Sequence, residues 1–572
     1  MRITALLTLF SVLTFAFSLS GGKNYPQDYF RSPVDQRIRL SGTFGELRPN
    51  HLHAGIDIKG KVGQSLYAAA EGYISRIKVQ AGGYGNVVYM NHPNGYTSVY
   101  AHLHKFTPEV EQYVREFQYK RESFEVEIFP GRDKFRFAKG DVIGKLGLSG
   151  RSFGPHLHFE IRDTKSERPI NPLLFGMEVK DDRPPKLHQL KVYHLNDKRE
   201  TVGTRTLNLI MGKAGPNYRI KGDTLDIGAW RAGFALKAYD HMTGVPNWNG
   251  IYSLAMFKDD ILIYDFEMET FSFSESRYIN AHLDYAEQVE KKSYFNRCYQ
   301  LPGNKLSIYN EQVEQGVVKL HKGKVSEIKM LVQDVDGNRS QLRFWVRRAE
   351  VKPPKSDSYN YLLPYNEENK IDNESLYLYF PEGTFYENVY LKYHNDRERS
   401  SGLYSAVHHI HNRRTPVHRY FDLGLRPDQP LPEAQRSKAF IAHCQPDGTV
   451  ENMGGSWKNG RLQTKTRAFG KYCIMLDQKA PTITPVAFRT TLKGYSKMSF
   501  KIKDNFEASG RAAGLSYRAT VDGQWILLEY DAKKDLLIHR FDGSIGPGEH
   551  QLRLVVSDNR GNERLLERRF IR

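Results

Sequence analysis

Cysteine is scarce in this chain. Its 572 residues include only three, Cys298, Cys444 and Cys473. Three is an odd number and too few for a disulfide framework, so hydrophobic cores must supply the stability. Cys444 and Cys473 fall in one expected module, where they either form a disulfide or remain two buried thiols. No cysteine has a partner at C-x-x-C spacing, which argues against a cysteine-based zinc site.

Long apolar runs are also missing, except at the start of the chain. Arg2 precedes an uncharged apolar run over 3–19, with small residues at Ser18 and Ser20. This pattern predicts a signal peptide over residues 1–20, and the run is short for the alternative, an uncleaved anchor. We therefore expect an exported protein with no stable transmembrane anchor. The periplasm or cell envelope is favoured over free extracellular release, because no wall-anchoring tail of the Gram-positive type is evident.

No nucleic-acid recognition motif is present either. Lys and Arg number 83 against 65 Asp and Glu, which gives a formal net charge of +18. In an exported protein this charge favours contact with anionic envelope polymers or serves general solubility. Nucleic acid is not an expected partner, because the chain leaves the cytoplasm.

Short alternating runs separated by glycine-rich turns make up most of the remaining sequence. Over 35–178 they predict a compact antiparallel β domain, interrupted at 105–138 by an insertion with a helix over 108–120. After the linker D-D-R-P-P at Asp181, strand-like runs continue almost to the C-terminus. The expected fold class is mainly β, with the antiparallel β domain followed by two or three β-sandwich (immunoglobulin-like) modules.

Two segments of the chain share similar first and last strands. D-x-x-P-P at Asp181 opens one segment, and D-x-x-A-P at Asp477 opens the other. We predict β-sandwich modules at 184–350 and 480–572, the second of them immunoglobulin-like. A further β-rich module is expected between them, at 351–479.

The closing turns of these two segments hint at calcium loops. One contains Asp334 and Asp336 in "VQDVDGN", and the other contains Asp558 in "VVSDNRGN". Arg560 stands where the second turn should have its second carboxylate, which argues against calcium. A tight turn capped by Asp and Asn is the favoured interpretation.

Histidine recurs on the polar side of apolar strand patterns within 35–178. In an extended strand His156, His158 and Glu160 share one face, while the alternate residues suit a core. His53 and Asp57 share a face in "HAGID", where Gly55 between them has no side chain. A lone histidine on a strand is usually structural, but repeated clusters in one small domain indicate a site.

The segment 97–104 repeats this pattern, with Tyr100, His102 and His104 expected on one face. Zinc prefers histidine nitrogen and carboxylate oxygen in tetrahedral geometry, and catalytic sites leave the fourth position to water. A softer metal would require more thiolate. The residue types therefore favour zinc.

The motifs "HAGID", "YAHLH" and "GRSFGPHLHFEI" resemble those of the lysostaphin-like, or LytM-type, zinc endopeptidases of bacterial cell walls. The family pattern H-x-x-x-D, Y-x-H-L and G-x-H-L-H-F-E occurs in order over about residues 40–175. The resemblance makes 35–178 a zinc metallopeptidase domain with one zinc ion. It implies that the zinc ligands are His53, Asp57 and His158. It implies that the catalytic pair is His102 and His156.

The function implied by the resemblance is hydrolysis of peptide cross-links or stem peptides of bacterial peptidoglycan, with zinc-bound water as nucleophile. His156 would act as general base, and a protonated His102 would help zinc to stabilise the oxyanion, although the sequence leaves the division of these roles open. Peptidoglycan peptides are the expected substrate, and the C-terminal β modules would bind the wall or an envelope protein partner.

The alternative function is a zinc-stabilised wall-binding or regulatory protein that recruits or activates another wall hydrolase. Relatives of that kind have lost ligands, whereas this chain retains all five residues. The insertion at 105–138 is longer than the connection usual in such domains, and it is either a surface insertion or a flap over the cleft.

Two further motifs compete with these assignments. Ser152 lies in G-x-S-x-G, but a serine-hydrolase elbow needs a helix after the serine, and here Pro155 and a strand follow. A glycine-rich loop close to the cleft is favoured instead. His51 lies two residues before His53, and we expect it to be solvated or outside the ligand set.

Overall fold

The computed structural model describes residues 25–213, 215–351, 358–396 and 402–572. The signal peptide predicted over residues 1–20 lies outside them. Strands make up 45% of the structure and helices 7%, mostly in antiparallel sheets, so the predicted mainly β fold class is confirmed. Within the described residues, no helix is long and apolar enough to cross a membrane.

A large antiparallel sheet forms the framework of the N-terminal domain. Its strands run in the order Leu40–Gly42, Ile56–Lys59, His156–Asp163, Tyr96–Ala101, Val87–Asn91, Gly72–Val79 and Val126–Ile128. Arg136–Phe137 and Pro169–Ile170 extend this sheet by pairing with Gly72–Val79 and His156–Asp163. The alternate apolar residues of these strands are buried, and they form one core with the short segment 172–175. The central strand His156–Asp163 therefore lies between the two others that carry the histidine motifs.

Smaller elements complete this domain. Ser65–Tyr67, Val142–Leu146 and Leu103–Phe106 form a second sheet, and Leu47–Arg48 pairs with His51–Leu52. The helix expected in the insertion runs over Pro108–Arg121, with Pro108 in its first turn. It buries Val110 and Val114 in the domain core.

The segment 97–104 is not one strand, so the predicted common face of Tyr100, His102 and His104 is wrong. Tyr96–Ala101 belongs to the large sheet, and Leu103–Phe106 belongs to the smaller one. His102 forms the corner between them, with a φ of 61° that non-glycine residues seldom adopt. As a result His102 is buried, whereas His104 is exposed.

Two sheets that share one core follow the N-terminal domain, as in a sandwich. Most of their pairings are antiparallel, but Asn217–Arg219 and Thr224–Ile227 run parallel to Arg339–Arg348. One sheet contains Thr201–Asn208, Lys186–Leu195, Arg231–Tyr239, Asn296–Arg297 and Val318–Lys319. The other contains Ile210–Met211, Asn217–Arg219, Thr224–Ile227, Arg339–Arg348, Val325–Gln333, Ser253–Lys258, Ile261–Glu267 and Tyr309–Gln312. Short helices cover Ile279–His282 and Tyr285–Lys291.

The next segment packs several sheets around its own core. The smallest sheet contains Tyr361–Leu363 and Val389–Leu391. A second sheet contains Asn369–Asp372, Leu376–Phe380, Phe421–Leu425, Arg461–Thr466 and Ser456–Lys458. A third contains Tyr393–Asp396, Val407–Ile410, Gly470–Leu476, Ala439–Cys444 and Val450–Asn452. A helical turn covers Glu433–Arg436. The sulfur atoms of Cys444 and Cys473 are 3.8 Å apart on neighbouring strands, so both cysteines are free thiols in this structure.

The C-terminal segment is a compact pair of four-stranded sheets with its own core. One contains Thr482–Ala487, Lys497–Lys503, Leu536–Arg540 and Glu529–Asp531, and the other contains Gln524–Trp525, Ser516–Val521, Glu549–Ser557 and Glu563–Ile571. Glu507–Ala508 leaves this module and pairs in parallel with Val450–Asn452 of the preceding one. The module boundaries set out above remain predictions.

Candidate metal centre

The strands place Asp57 and His158 directly opposite each other. Ile56–Lys59 pairs with His156–Asp163 so that these two residues are register partners, and their side chains share one face of the sheet. His53 reaches the same face from the loop before the strand. Gly55 allows this approach, because a Cβ there would lie 2.3 Å from the carbonyl oxygen of Phe159.

Three ligand atoms meet at this point. Nε2 of His53 lies 3.1 Å from Oδ1 of Asp57 and 3.0 Å from Nδ1 of His158, and that Nδ1 lies 3.0 Å from the same Oδ1. The edge of a tetrahedron with bonds of about 2.0–2.1 Å is about 3.3 Å. The three atoms therefore nearly match one face of a tetrahedral site, and all three side chains are buried.

In each imidazole, the ring nitrogen that faces away from the three ligand atoms forms a hydrogen bond, and this bond determines which nitrogen carries the proton. Nδ1 of His53 lies 2.7 Å from the carbonyl oxygen of Thr43, and Nε2 of His158 lies 2.7 Å from Glu160. Because both partners are acceptors, the proton of each neutral ring is assigned to that nitrogen. The opposite nitrogens and Oδ1 of Asp57 then turn lone pairs towards one another, an arrangement that a cation satisfies.

Outer partners hold the ligands in place. Oε1 of Glu160 also accepts a hydrogen bond from the Tyr84 hydroxyl (2.5 Å), and Oε2 accepts one from Nε of Arg162 (2.6 Å). On the other side, Arg48 donates to Oδ2 of Asp57 at 2.7 Å. Such partners set ring orientation and ligand basicity in metal sites.

Burial and neighbouring groups shift the pKa values of several side chains in and around this cluster. Burial lowers the pKa of His53 to about 4. Burial also acts to lower the pKa of His158, but its hydrogen bonds to Asp57 and Glu160 raise it to about 9. Glu46, which contacts Arg48, has its pKa raised to about 7 by burial. The cluster thus attracts positive charge most strongly at His158.

His102 and His156 lie beside the three converging atoms. Their ring centroids are 4.8 Å apart, and Nε2 of His156 is 3.4 Å from Oδ1 of Asp57. Nδ1 of His102 donates to the carbonyl oxygen of Ser149 at 2.9 Å, and Nδ1 of His156 donates to that of Gly154 at 2.9 Å. In both neutral rings Nε2 is therefore the basic nitrogen. Burial, followed by the charges of His158 and His156, lowers the pKa of His102 to about 3.

The loop 148–154 supplies both of these carbonyl groups. Gly150 packs its backbone directly on Gly85, and a Cβ on Gly150 would lie 2.3 Å from the backbone nitrogen of Gly85. Ser152 donates to the Gly154 carbonyl, and no helix follows it, so the loop is not a serine-hydrolase elbow. The loop instead brings its backbone close to the cleft, as the glycine pattern predicts.

The C-terminal segment reaches the same loop. Nζ of Lys533 donates to the carbonyl oxygens of Leu148 (2.7 Å) and Ser152 (3.1 Å). Asp542 accepts hydrogen bonds from Tyr119 (3.0 Å) and Arg115 (3.4 Å) on the inserted helix. The insertion therefore lies between the N-terminal domain and the last module.

The structure brings together all five residues singled out in the sequence, while His51 and His104 stay exposed. Sequence reasoning placed Glu160 on the same face as His158 but missed the other outer partners. Arg162 lies on the same strand face as Glu160 and could have been found from the alternation. Arg48 lies in the short strand Leu47–Arg48, Glu46 directly precedes that strand, and Tyr84 lies in a loop. No sequence signal connects them with the site.

Comparisons with known protein families match two separate parts of the chain. Residues 51–119 match peptidase family M23, and residues 360–477 match a Zu5-like domain. Over 140 residues the chain is 36% identical to the DD-carboxypeptidase/endopeptidase Mpg of Neisseria meningitidis, an alignment that covers 24% of this chain and 26% of that protein. Over 150 residues it is 31% identical to the murein hydrolase activator NlpD of Escherichia coli, covering 26% of this chain and 32% of that protein.

Among solved structures, the catalytic domain of lysostaphin from Staphylococcus simulans is 22% identical, with coverage of 24% of this chain and 91% of that one and a TM-score of 0.18. The chain spans about a quarter to a third of the length of the curated relatives named above. The resemblance seen in the histidine motifs is confirmed at the level of the domain family.

Proposed function

We propose that the peptidase family M23 domain of this chain is a zinc-dependent endopeptidase that hydrolyses peptide cross-links or stem peptides of bacterial peptidoglycan. The observation that supports this most strongly is the convergence of His53, Asp57 and His158, whose facing atoms lie 3.0–3.1 Å apart. These three residues would hold one zinc ion. A bound zinc ion supplies Lewis acidity, which activates water and polarises a carbonyl group.

The residues beside this site fit proton transfer. Nδ1 of His156 is committed to the Gly154 carbonyl, so Nε2 is the atom that would accept a proton from water as general base. His102 is buried, and its Nδ1 is held by the Ser149 carbonyl. Because burial and the neighbouring histidines lower the pKa of His102 to about 3, Nε2 of His102 would donate to the oxyanion of the substrate after receiving a proton during the reaction.

The setting that we propose follows from the N-terminal sequence and the substrate. The apolar run over 3–19 and the small residue at Ser20 favour export to the periplasm or cell envelope. The C-terminal β modules would then bring the domain to the wall or bind an envelope protein. The net charge of +18 supports contact with anionic wall polymers.

Digestion of purified sacculi and of a defined cross-linked muropeptide tests the enzymatic proposal. The zinc-loaded full chain should release new peptide termini, detected by mass spectrometry. His156→Ala should retain zinc yet lose activity by about 100-fold or more, because general acid–base catalysis contributes that much. His104→Ala is the matched control, since His104 is exposed. Equal activity of wild type and His156→Ala would contradict the proposal.

A second candidate function is activation of another wall hydrolase, which the similarity to the murein hydrolase activator NlpD favours. In that case the zinc-loaded chain would release no peptide by itself, yet it would accelerate digestion by a separate wall hydrolase. His156→Ala would leave this stimulation unchanged, because binding does not require a general base.

A further inference from the structure

Two clusters of three aspartates occupy equivalent places in the second and last modules. Asp181, Asp240 and Asp334 form the first cluster; Asp477, Asp504 and Asp558 form the second. Within each cluster, one oxygen from each side chain lies within 4.8 Å of the others. We propose that each cluster binds one calcium ion through these carboxylate oxygens.

The two clusters are built in the same way, although the chain between their members differs in length. The first aspartate lies in the linker before the module, and the other two each follow the last residue of a strand. These strands are Arg231–Tyr239 and Val325–Gln333 in the first case, and Lys497–Lys503 and Glu549–Ser557 in the second. Because two separate modules place their aspartates in the same way, we infer that the two clusters have the same role and are not an accidental grouping of surface acids.

The closing turns match in detail. Asn338 donates from its backbone and side chain to Asp334, and its side chain also reaches the Asp181 carbonyl oxygen. Asn562 makes the same hydrogen bonds to Asp558 and to the Asp477 carbonyl oxygen. The turn capped by Asp and Asn that the sequence favours is thus present, and it positions each cluster.

Buried carboxylate oxygens in both clusters have no partner. Asp240 is 2% exposed and its Oδ1 accepts no hydrogen bond, while Asp477 is fully buried and its Oδ2 accepts none. Oδ2 of Asp181 is also buried and unpaired. Over the described residues, none of the six aspartates forms an ion pair with Lys, Arg or His. A buried carboxylate oxygen without a hydrogen-bond or charged partner raises the free energy of the folded state, unless it coordinates a cation.

The electrostatics agree with this geometry. Burial, with the charges of Asp334 and Asp181 added, raises the pKa of Asp240 to about 8. Burial raises the pKa of Asp504 to about 6. A bound divalent cation would offset both effects.

Calcium fits the donor set better than other common ions. All donors are oxygens, whereas zinc sites prefer nitrogen or sulfur, and magnesium usually keeps several waters in a strict octahedron. Calcium binds oxygen at 2.3–2.6 Å, so one ion spans oxygens up to about 4.8 Å apart. Backbone carbonyls and water would complete its six to eight ligands.

Arg560, which argues against calcium in the sequence, does not fill the second cluster. Its guanidinium group donates to the carbonyl oxygens of Ala439 and Gly455 in the preceding module. The corresponding position of the first turn is Asp336, whose pKa burial raises to about 6. The first cluster can therefore offer an additional carboxylate, and we expect it to bind calcium more tightly than the second.

The positions of the clusters suggest what calcium does. Met242 and Val245 follow Asp240 and lie in the core of the N-terminal domain. The turn of the second cluster contacts the preceding module through Arg560 and through Lys438, which donates to the Arg560 and Gly561 carbonyls. Each ion would fix the junction between two modules.

Equilibrium dialysis with radioactive calcium tests the proposal on the zinc-loaded full chain after dialysis into calcium-free buffer. Wild type should bind about two calcium ions below ~1 mM, the upper range for extracellular modules. Asp240→Asn and Asp504→Asn should each lose one ion, and the double variant should lose both. Asp197→Asn is the control, because Asp197 is exposed in the same module as Asp240.

Thermal unfolding provides a readout that does not depend on activity. Calcium should raise the melting temperature of wild type by at least ~2 °C, and magnesium should have less effect. In calcium-free buffer the Asn variants should melt no lower than wild type, because a neutral amide relieves repulsion between carboxylates. Wild type that binds no calcium at 1 mM, or a double variant that binds as many ions as wild type, would overturn the proposal. Loss of an ion in only one single variant would overturn the site at the other cluster.

Discussion

His158 has both ring nitrogens engaged with acidic groups, Nδ1 with Asp57 and Nε2 with Glu160. This arrangement explains why a buried imidazole has a raised pKa and why its orientation is fixed before a metal binds. His102 is held in a different way, by a strained backbone with a φ of 61° and by the Ser149 carbonyl. Strain of this kind is concentrated at functional sites.

Glu160→Gln should weaken zinc binding by about 10–100-fold, the usual effect of removing a charged partner of a metal-bound histidine. The amide is similar in size, but it no longer favours the proton on Nε2 of His158 by charge. Competition with a zinc-binding dye measures the change. Glu178→Gln is the control, since Glu178 is exposed. Equal zinc affinity of Glu160→Gln and wild type would show that Glu160 has no part in holding the ligand.

At the scale of elements, some helices end at a non-glycine residue with positive φ. The helix Tyr285–Lys291 begins at Asp284, whose side chain accepts from the backbone of Glu287, and it ends at Lys292 in the left-handed region. Lysine is less suited to that conformation than glycine, because its Cβ crowds the backbone. The end of the helix therefore forms at a cost in free energy that one substitution can remove.

Lys292→Gly should stabilise this helix by about 1 kcal/mol, because glycine adopts a φ of 53° without strain. Lys291→Gly, one residue earlier and within the helix, should destabilise it by about 1 kcal/mol. Hydrogen exchange of the helix amides measures both changes locally. The same direction of change in both variants would contradict the assignment of the cap.

At the scale of the whole molecule, the last module and the inserted helix meet beside the candidate metal centre. Lys533 donates to loop 148–154, Asp542 accepts from Arg115 and Tyr119, and the ring of Tyr119 also packs edge-on against Trp525 of the last module at 5.3 Å. Arg518 also pairs with Glu122 at the end of the inserted helix. The ion pairs of this contact contribute little and weaken with salt, so the polar part of the contact should loosen as salt is added.

Lys533→Ala should increase hydrogen exchange of the amides in loop 148–154 by several-fold, because the lysine ties two of its carbonyls to the last module. Lys534→Ala is the matched control, since Lys534 pairs with Asp531 inside its own module. Hydrogen exchange with mass spectrometry at low and high salt compares the variants. Equal exchange in wild type and Lys533→Ala would show that the contact does not restrain the loop.

The sequence by itself predicted the mainly β class and the resemblance of the N-terminal domain to a peptidase family. It also singled out five residues that the structure brings together, and their roles stay predictions. The reason is local: H-x-H lies within one strand, where alternation decides which side chains share a face, and His53 lies in the loop directly before the strand that carries Asp57. The inserted helix was predicted from another local signal, Pro108 in its first turn. Strand alternation wrongly predicted that Tyr100, His102 and His104 share one face. The chain passes from one sheet to another at His102, and the local sequence does not encode that corner.

Only the tertiary structure decided which distant groups support these residues. Arg48 reaches the centre from a short strand and Tyr84 from a loop, and Asp240 and Asp504 join the aspartate clusters from strand ends far along the chain. Their sequence neighbours carry no sign of these contacts, because packing between sheets brings them together. Motifs within one strand could therefore be interpreted from the sequence, whereas the groups that surround them depend on how the sheets and modules pack.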